Sequence, residues 1–385
     1  MTPGARVAAA IGILDQALVG ENAERALTNW ARGSRFAGSG DRAAVRDLVY
    51  DALRCRRSFA ALGGAETGRG LMLGAARAAG QDPATLFTGE GHAPAPPQAD
   101  ETGHPPSPTE ALDLPDWLIP RMQAAFGADL PALAQTLRHR APVFLRANLA
   151  RASRDMAQKA LADEGVTAHP HRLADTALEV TDGARRIQAS QAYAQGLVEL
   201  QDASSQAVVA ALALGDGMRV LDLCAGGGGK TLAMAARARM QLFAHDAHHQ
   251  RMRDLPARAA RAGAKITLTD TPEAQAPYDL VLVDAPCSGS GSWRRDPQGK
   301  WQLTPERLDQ IGKLQTTILA RAATLVRDGG VLAYATCSLL PEENRGRIDA
   351  FLTAHPGWHL TAEHHFTPIE GGDGFFLAVL TPGMA

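Results

Sequence analysis

The chain has 385 residues, enough for two or three domains, and its 45% apolar and 21% charged content suits a protein with buried cores. A formal net charge of −2 excludes a global basic field, so any contact with nucleic acid has to rest on local clusters. The cysteines, Cys55, Cys224, Cys287 and Cys337, have no Cys-x-x-Cys spacing; this argues against a structural zinc site and fits a reducing compartment. No 18-residue apolar run and no N-terminal apolar stretch with a cleavage site occurs, so the expectation is a cytoplasmic protein with no membrane and no metal partner.

Residues 1–62 read as a helical domain. Val7, Ile11, Leu14 and Leu18 recur at helical spacing, as do Val45, Leu48, Val49 and Leu53. Arg42, Arg46, Arg54, Arg56 and Arg57 form a cationic cluster that could meet phosphates, or simply a solvated face. Residues 63–113 read as a linker, rich in Gly and in part in Pro, with 88–108 unable to bury much. Residues 114–195 read as a small α+β segment. In it Pro142–Arg146 is strand-like, Ser153–Gly165 is a helix with a Ser start and a Gly stop, and Leu178–Val180 is strand-like.

From residue 196 to 385 strands and helices alternate. Val220–Leu223, Gln241–Ala244, Ile266–Leu268 and Phe375–Leu380 read as strands, as do the apolar runs Leu280–Val283 and Val331–Tyr334. The pattern predicts an α/β domain with a doubly wound, mostly parallel sheet.

Ligands of such sheets sit beyond the carboxyl ends of the strands. Three features are expected there. The turn Cys224-Ala225-Gly226-Gly227-Gly228-Gly229-Lys230 lets the backbone approach a ligand, although it fits neither the dinucleotide fingerprint nor the P-loop. Asp246, Asp270 and Asp284 close three successive strands and would give an adenosine-type ligand a row of acceptors; singly, each could merely start a turn. Asp284-Ala285-Pro286-Cys287 and Thr336-Cys337-Ser338 each follow an apolar run. Two thiols 50 positions apart should therefore meet beside a carboxylate, an arrangement that suggests covalent catalysis. Trp293, Arg294, Arg295, Lys300 and Trp301 follow as an aromatic and cationic patch suited to single-stranded RNA. Arg146, Arg185 and Arg186 are further candidates for RNA contact.

Taken together, these residues resemble the RsmB/NSUN-type RNA (cytosine-5) methyltransferases over residues 115–382. The resemblance rests on Gln201–Gln206, Leu221–Thr231, Asp284–Gly291, Arg294–Pro297, Tyr334–Ser338, Pro341–Asn344 and Asp373–Phe376. The Arg-rich N-terminus is similar to the NusB-like RNA-binding domain of the RsmB branch. One departure is the turn: Gly226-Gly227 stands where the family has Ala-Pro, which removes a fixed φ and should loosen the loop.

The resemblance implies a Rossmann-like catalytic domain and S-adenosylmethionine as cofactor, held by Cys224–Lys230, Asp246, Arg251, Asp270 and Asp284. It implies Cys337 as the nucleophile at carbon 6 of cytosine, Cys287 as the residue of product release, Asp284 at the pyrimidine edge and Lys230 orienting Asp284. The partner implied is RNA, foremost small-subunit ribosomal RNA, and the enzyme is expected to be a monomer. A tRNA methyltransferase, a DNA cytosine methyltransferase and an inert ribosome-assembly factor are the alternatives. Thr336-Cys337-Ser338 argues against the DNA enzyme.

Overall fold

The computed structural model describes residues 1–383. They form two compact units: Met1–Arg140 with Trp293–Thr304, and Ala141–Ser292 with the chain from Pro305 onward.

The first unit is helical, with α1 (Pro3–Leu18), α2 (Ala23–Gly33), α3 (Ser39–Arg54), α4 (Arg56–Gly63), α5 (Gly68–Ala78), α6 (Ile119–Phe126) and α7 (Leu130–Leu137). Thr2, Asn22 and Thr67 start α1, α2 and α5, each side-chain oxygen accepting a backbone N–H of the first turn. Val7, Leu14, Val45, Val49 and Leu53 pack with Leu71, Leu73 and Phe87 into one core.

The division at residue 62 and the linker at 63–113 are therefore corrected. The glycines that suggested a linker serve close packing: a Cβ on Gly74 would lie 1.9 Å from the Phe59 carbonyl, so α4 and α5 meet backbone to backbone. The Pro-rich stretch does run without helix or strand. It is fastened to α5, where Arg69 pairs with Glu101 at 2.5 Å and Arg77 donates to the Glu101 carbonyl at 2.7 Å. The 114–195 segment also divides, its first two helices belonging to the helical unit.

The second unit begins with β1 (Val143–Ala147), α8 (Arg154–Asp163), β2 (Thr167–Pro170), β3 (Ala177–Asp182), α9 (Gln191–Ala194) and β4 (Val198–Leu200). These make an antiparallel sheet of order β2-β3-β1-β4. Ser153 caps α8 as the sequence suggests, by accepting the Met156 N–H.

Then follow α10 (Ala203–Ala210), β5 (Arg219–Asp222), α11 (Gly229–Ala235), β6 (Gln241–Ala244), α12 (Leu255–Ala262), β7 (Ile266–Leu268) and β8 (Tyr278–Asp284). The chain crosses to the helical unit for α13 (Pro297–Gln302). It returns for α14 (Pro305–Ala323), β9 (Val326–Thr336), α15 (Arg345–Ala354), β10 (Trp358–Phe366) and β11 (Phe375–Pro382).

The seven-stranded sheet has the order β10-β11-β9-β8-β5-β6-β7; β7 through β9 are parallel, and β11 and β10 are antiparallel. It is the expected doubly wound α/β sheet. Successive residues of β8 alternate between two cores: Val281 and Val283 pack with Leu221 and Tyr334, while Leu280 and Leu282 pack with Val220 and Ala333. Burial on both faces is why β8 reads as an unbroken apolar run. The polar edge strand β10 shows no such run and escapes a reading by hydrophobicity. The order reverses at β5, so the carboxyl ends of β5 and β8 form the switch point beyond which ligands of such sheets bind.

Candidate active site

Parallel pairing of β8 with β9 places Asp284 beside Ala335, and the chain leaves both strands at the same edge of the sheet. Three residues past Asp284 lies Cys287; just past Thr336 lies Cys337. Their sulfurs are 3.3 Å apart. The Cys287 thiol is held well above its ordinary range, first by its hydrogen bond to Cys337 and then by burial. At that separation the two sulfurs are hydrogen-bonding neighbours, and either can donate to the other.

Lys230, from the first turn of α11, donates to Asp284 at 2.8 Å and lies over the Phe375 ring at 4.6 Å. The lysine is buried, while the Asp284 side chain is 32% exposed and open to a ligand.

The glycine turn joins this edge from β5. Ala225 donates to the His245 carbonyl at 2.9 Å, and Gly226 donates to Asp246 Oδ2 at 2.9 Å. Asp246 also accepts the His248 N–H at 2.8 Å and pairs with Arg251 at 3.3 Å. Arg258 donates to the Gly227 carbonyl. The loosening expected from the missing proline is thus opposed by Asp246 on one side and Arg258 on the other. Asp222, the last residue of β5, is buried; Thr231 donates to it at 2.6 Å, and its other oxygen has no hydrogen-bond partner among the described residues. Burial pushes its carboxyl up to about 7.

Two family models match the chain: 16S rRNA methyltransferase RsmB/F over residues 209–381, and the RsmF/B-like ferredoxin-like domain over residues 114–186. Ribosomal RNA small subunit methyltransferase B of Citrobacter koseri is 35% identical over 282 residues, covering 69% of this chain and 66% of that protein. The chain belongs to the RsmB/F methyltransferase family. It spans about 66% of the length of that curated relative. In fold it resembles a methyltransferase homologue from Pyrococcus horikoshii, with a TM-score of 0.63, 24% identity and coverage of 71% and 99% of the two chains. It also resembles NSun6 from the same organism, solved with SFG, with a TM-score of 0.61, 18% identity and coverage of 70% and 99%.

Within this RsmB/F-family fold, Cys287, Cys337, Asp284 and Lys230 come together at one edge, with Cys224–Gly229, Asp246 and Arg251 beside the same strand ends. Cys224 packs against the core, and burial pushes its thiol up to about 12, as befits an inert side chain. Asp270 stands at the exposed rim, 3.1 Å from His249.

The RNA-contact expectations need correction. Trp293, Arg294 and Lys300 are buried, and of that group only Arg295 is exposed. They belong to the segment that folds into the helical unit. There Lys300 donates to the Arg54 carbonyl at 3.1 Å, Trp301 Nε1 to the Leu53 carbonyl at 2.7 Å, and Arg54 to the Arg294 carbonyl at 2.8 Å. Arg146 is buried too, donating to Gln201 at 2.6 Å and to the Gly229 carbonyl at 2.8 Å, so it braces the glycine turn from β1. Arg46, Arg54 and Arg57 of the N-terminal cluster pair with Asp47, Asp51 and Asp116, and Arg56 pairs with Glu66. Arg185 and Arg186 remain exposed. Sequence reasoning passed over Asp222 and Glu343; for Asp222 the signal was available, an acid closing the first strand of the sheet.

Proposed function

We propose that this chain methylates carbon 5 of a cytosine in RNA through a covalent adduct on Cys337, with S-adenosylmethionine as donor and small-subunit ribosomal RNA as the substrate class. The observation that carries the reading is the pair of sulfurs 3.3 Å apart beside the Asp284–Lys230 pair. The name of the curated relatives supports ribosomal RNA as the target. The same reading has the chain acting as a monomer in the cytoplasm.

The residues present suit the cofactor. Asp222 has a buried carboxylate oxygen to spare, and the turn Cys224–Gly229 presents backbone rather than bulky side chains at the switch point. Asp246, Arg251, Asp270 and Asp284 complete the rim that would hold its adenosine and amino-acid parts. When bound, S-adenosylmethionine supplies an electrophilic methyl group.

The chain's own residues do the rest. The Cys337 thiolate adds to carbon 6, which makes carbon 5 nucleophilic. Asp284, steadied by Lys230, shares a proton with ring nitrogen 3 of the pyrimidine, so the electron pair that the addition pushes into the ring is neutralised there. After methylation the carbon 5 proton passes to a water molecule, its bonding pair restores the carbon 5–carbon 6 double bond, and the carbon–sulfur bond breaks with its pair leaving on Cys337. The Cys287 thiol stabilises the departing Cys337 thiolate by hydrogen bonding. The base has to be unstacked for this attack, so single-stranded or opened RNA is the substrate form.

Cys337→Ala should lower methyl transfer from labelled S-adenosylmethionine by about 10³-fold or more. Cys287→Ala should accumulate an RNA adduct that survives a denaturing gel. Near-parental transfer by Cys337→Ala would refute the nucleophile assignment.

A further inference from the structure

We infer that Glu343 is a positioning residue that clamps the two cysteine loops together. Its carboxylate is fully buried. One oxygen accepts the Ser288 N–H at 2.7 Å and Gln315 Nε2 at 3.2 Å. The other accepts the hydroxyls of Ser288 and Ser338, each at 2.5 Å. Ser288 follows Cys287 and Ser338 follows Cys337, so one carboxylate grips the residue after each thiol.

The neighbouring contacts serve the same end. Asn344 accepts the Thr336 hydroxyl at 2.5 Å and donates to the Ser338 carbonyl at 2.8 Å, fixing the residues on both sides of Cys337. Gln315 also donates to the Pro286 carbonyl at 3.0 Å, just before Cys287. Four donors replace the water that a buried carboxylate gives up, and charge-assisted bonds of this kind are stronger than neutral ones. The negative charge also adds to the effects that keep the Cys287 thiol protonated. Sequence spacing cannot hold two thiols at bonding-neighbour distance on separate loops; a shared anchor can.

The catalytic consequence rests on the proposed roles of the two thiols, but the clamp can be read without methylation. Phenylarsine oxide condenses with two adjacent thiols and releases one water. The full chain should capture it across Cys287 and Cys337, as seen by intact-mass and peptide mapping, and Cys287→Ser should not. Glu343→Ala should lose capture rate by about tenfold or more, and kcat for methyl transfer should fall alongside while the Kd for S-adenosylmethionine moves less than about twofold. Glu343→Gln can direct its amide oxygen to the Ser288 N–H and its amide nitrogen to hydroxyls free to rotate, and should recover capture to within about threefold of the parent.

If Glu343→Ala does not fold, the Ser288→Ala, Ser338→Ala double variant should show the same loss of capture. Parental capture by Glu343→Ala or by that double variant, or no capture by the parent, overturns the clamp. A parent that captures the arsenical but methylates no RNA would sink the proposed function and leave the clamp supported.

Discussion

Asp222 is where burial and function pull against each other. An acid raised from its ordinary 3.8 to about 7 binds its proton more firmly folded than unfolded. Its stabilising contribution is therefore present below about pH 4, falls away as pH rises toward 7, and stays lost above. Asp222→Asn keeps an acceptor for Thr231 and removes the buried charge. In cofactor-free protein it should raise Tm at pH 8 by on the order of 5 °C and by much less at pH 5. A gain that is larger at pH 5 would contradict this account. The same substitution should weaken S-adenosylmethionine binding if the spare oxygen serves the cofactor.

At the scale of elements, three loops meet at Gly291. Gly291 donates to the Cys337 carbonyl at 2.9 Å, and Gly374, just before β11, donates to the Gly291 carbonyl at 2.9 Å. A Cβ on Gly291 would lie 2.0 Å from the Gly374 carbonyl, so backbone would have to move. Gly291→Ala should therefore disturb the cysteine loops through main-chain displacement, lowering kcat by about tenfold or more with little change in cofactor affinity. A variant with parental kcat would show that this junction is slack. The sequence marks β5, β6 and β8 clearly, because strands buried on one or both faces carry adjacent apolar residues; the short edge strand β7 shows only the alternation Ile266-Thr267-Leu268. It marks β10, β2 and β4 poorly, because short or edge strands bury too little to leave a pattern.

At the scale of the molecule, the helical unit is discontinuous in sequence. Gln298 shows how the later segment is held: its amide oxygen accepts the Ala23 N–H at 2.8 Å, and its amide nitrogen donates to the carbonyls of Glu21 at 2.6 Å and Ala17 at 3.4 Å. At about 1 kcal/mol per buried hydrogen bond, with the burial of Trp293 added, the segment contributes several kcal/mol to that unit. Replacing residues 294–303 by a Gly-Ser linker of equal length should lower the melting transition of the helical unit and expose residues 1–140 to limited proteolysis. An unchanged protease pattern would show that the unit is complete without the segment.

The sequence by itself determined the alternation of strand and helix, the acids at strand ends and the two thiols, because these are local: an apolar run, a turn, a residue type. Only the tertiary structure decided which charges face solvent and which are buried. Trp293, Arg294 and Lys300 have the composition of an RNA-binding patch, and Arg146 that of a surface cation. Yet each is buried, because where a cation lies depends on what packs over it. The 3.3 Å between the sulfurs is likewise a product of parallel β8–β9 pairing and the Glu343 carboxylate, neither of which is encoded in the spacing of the cysteines.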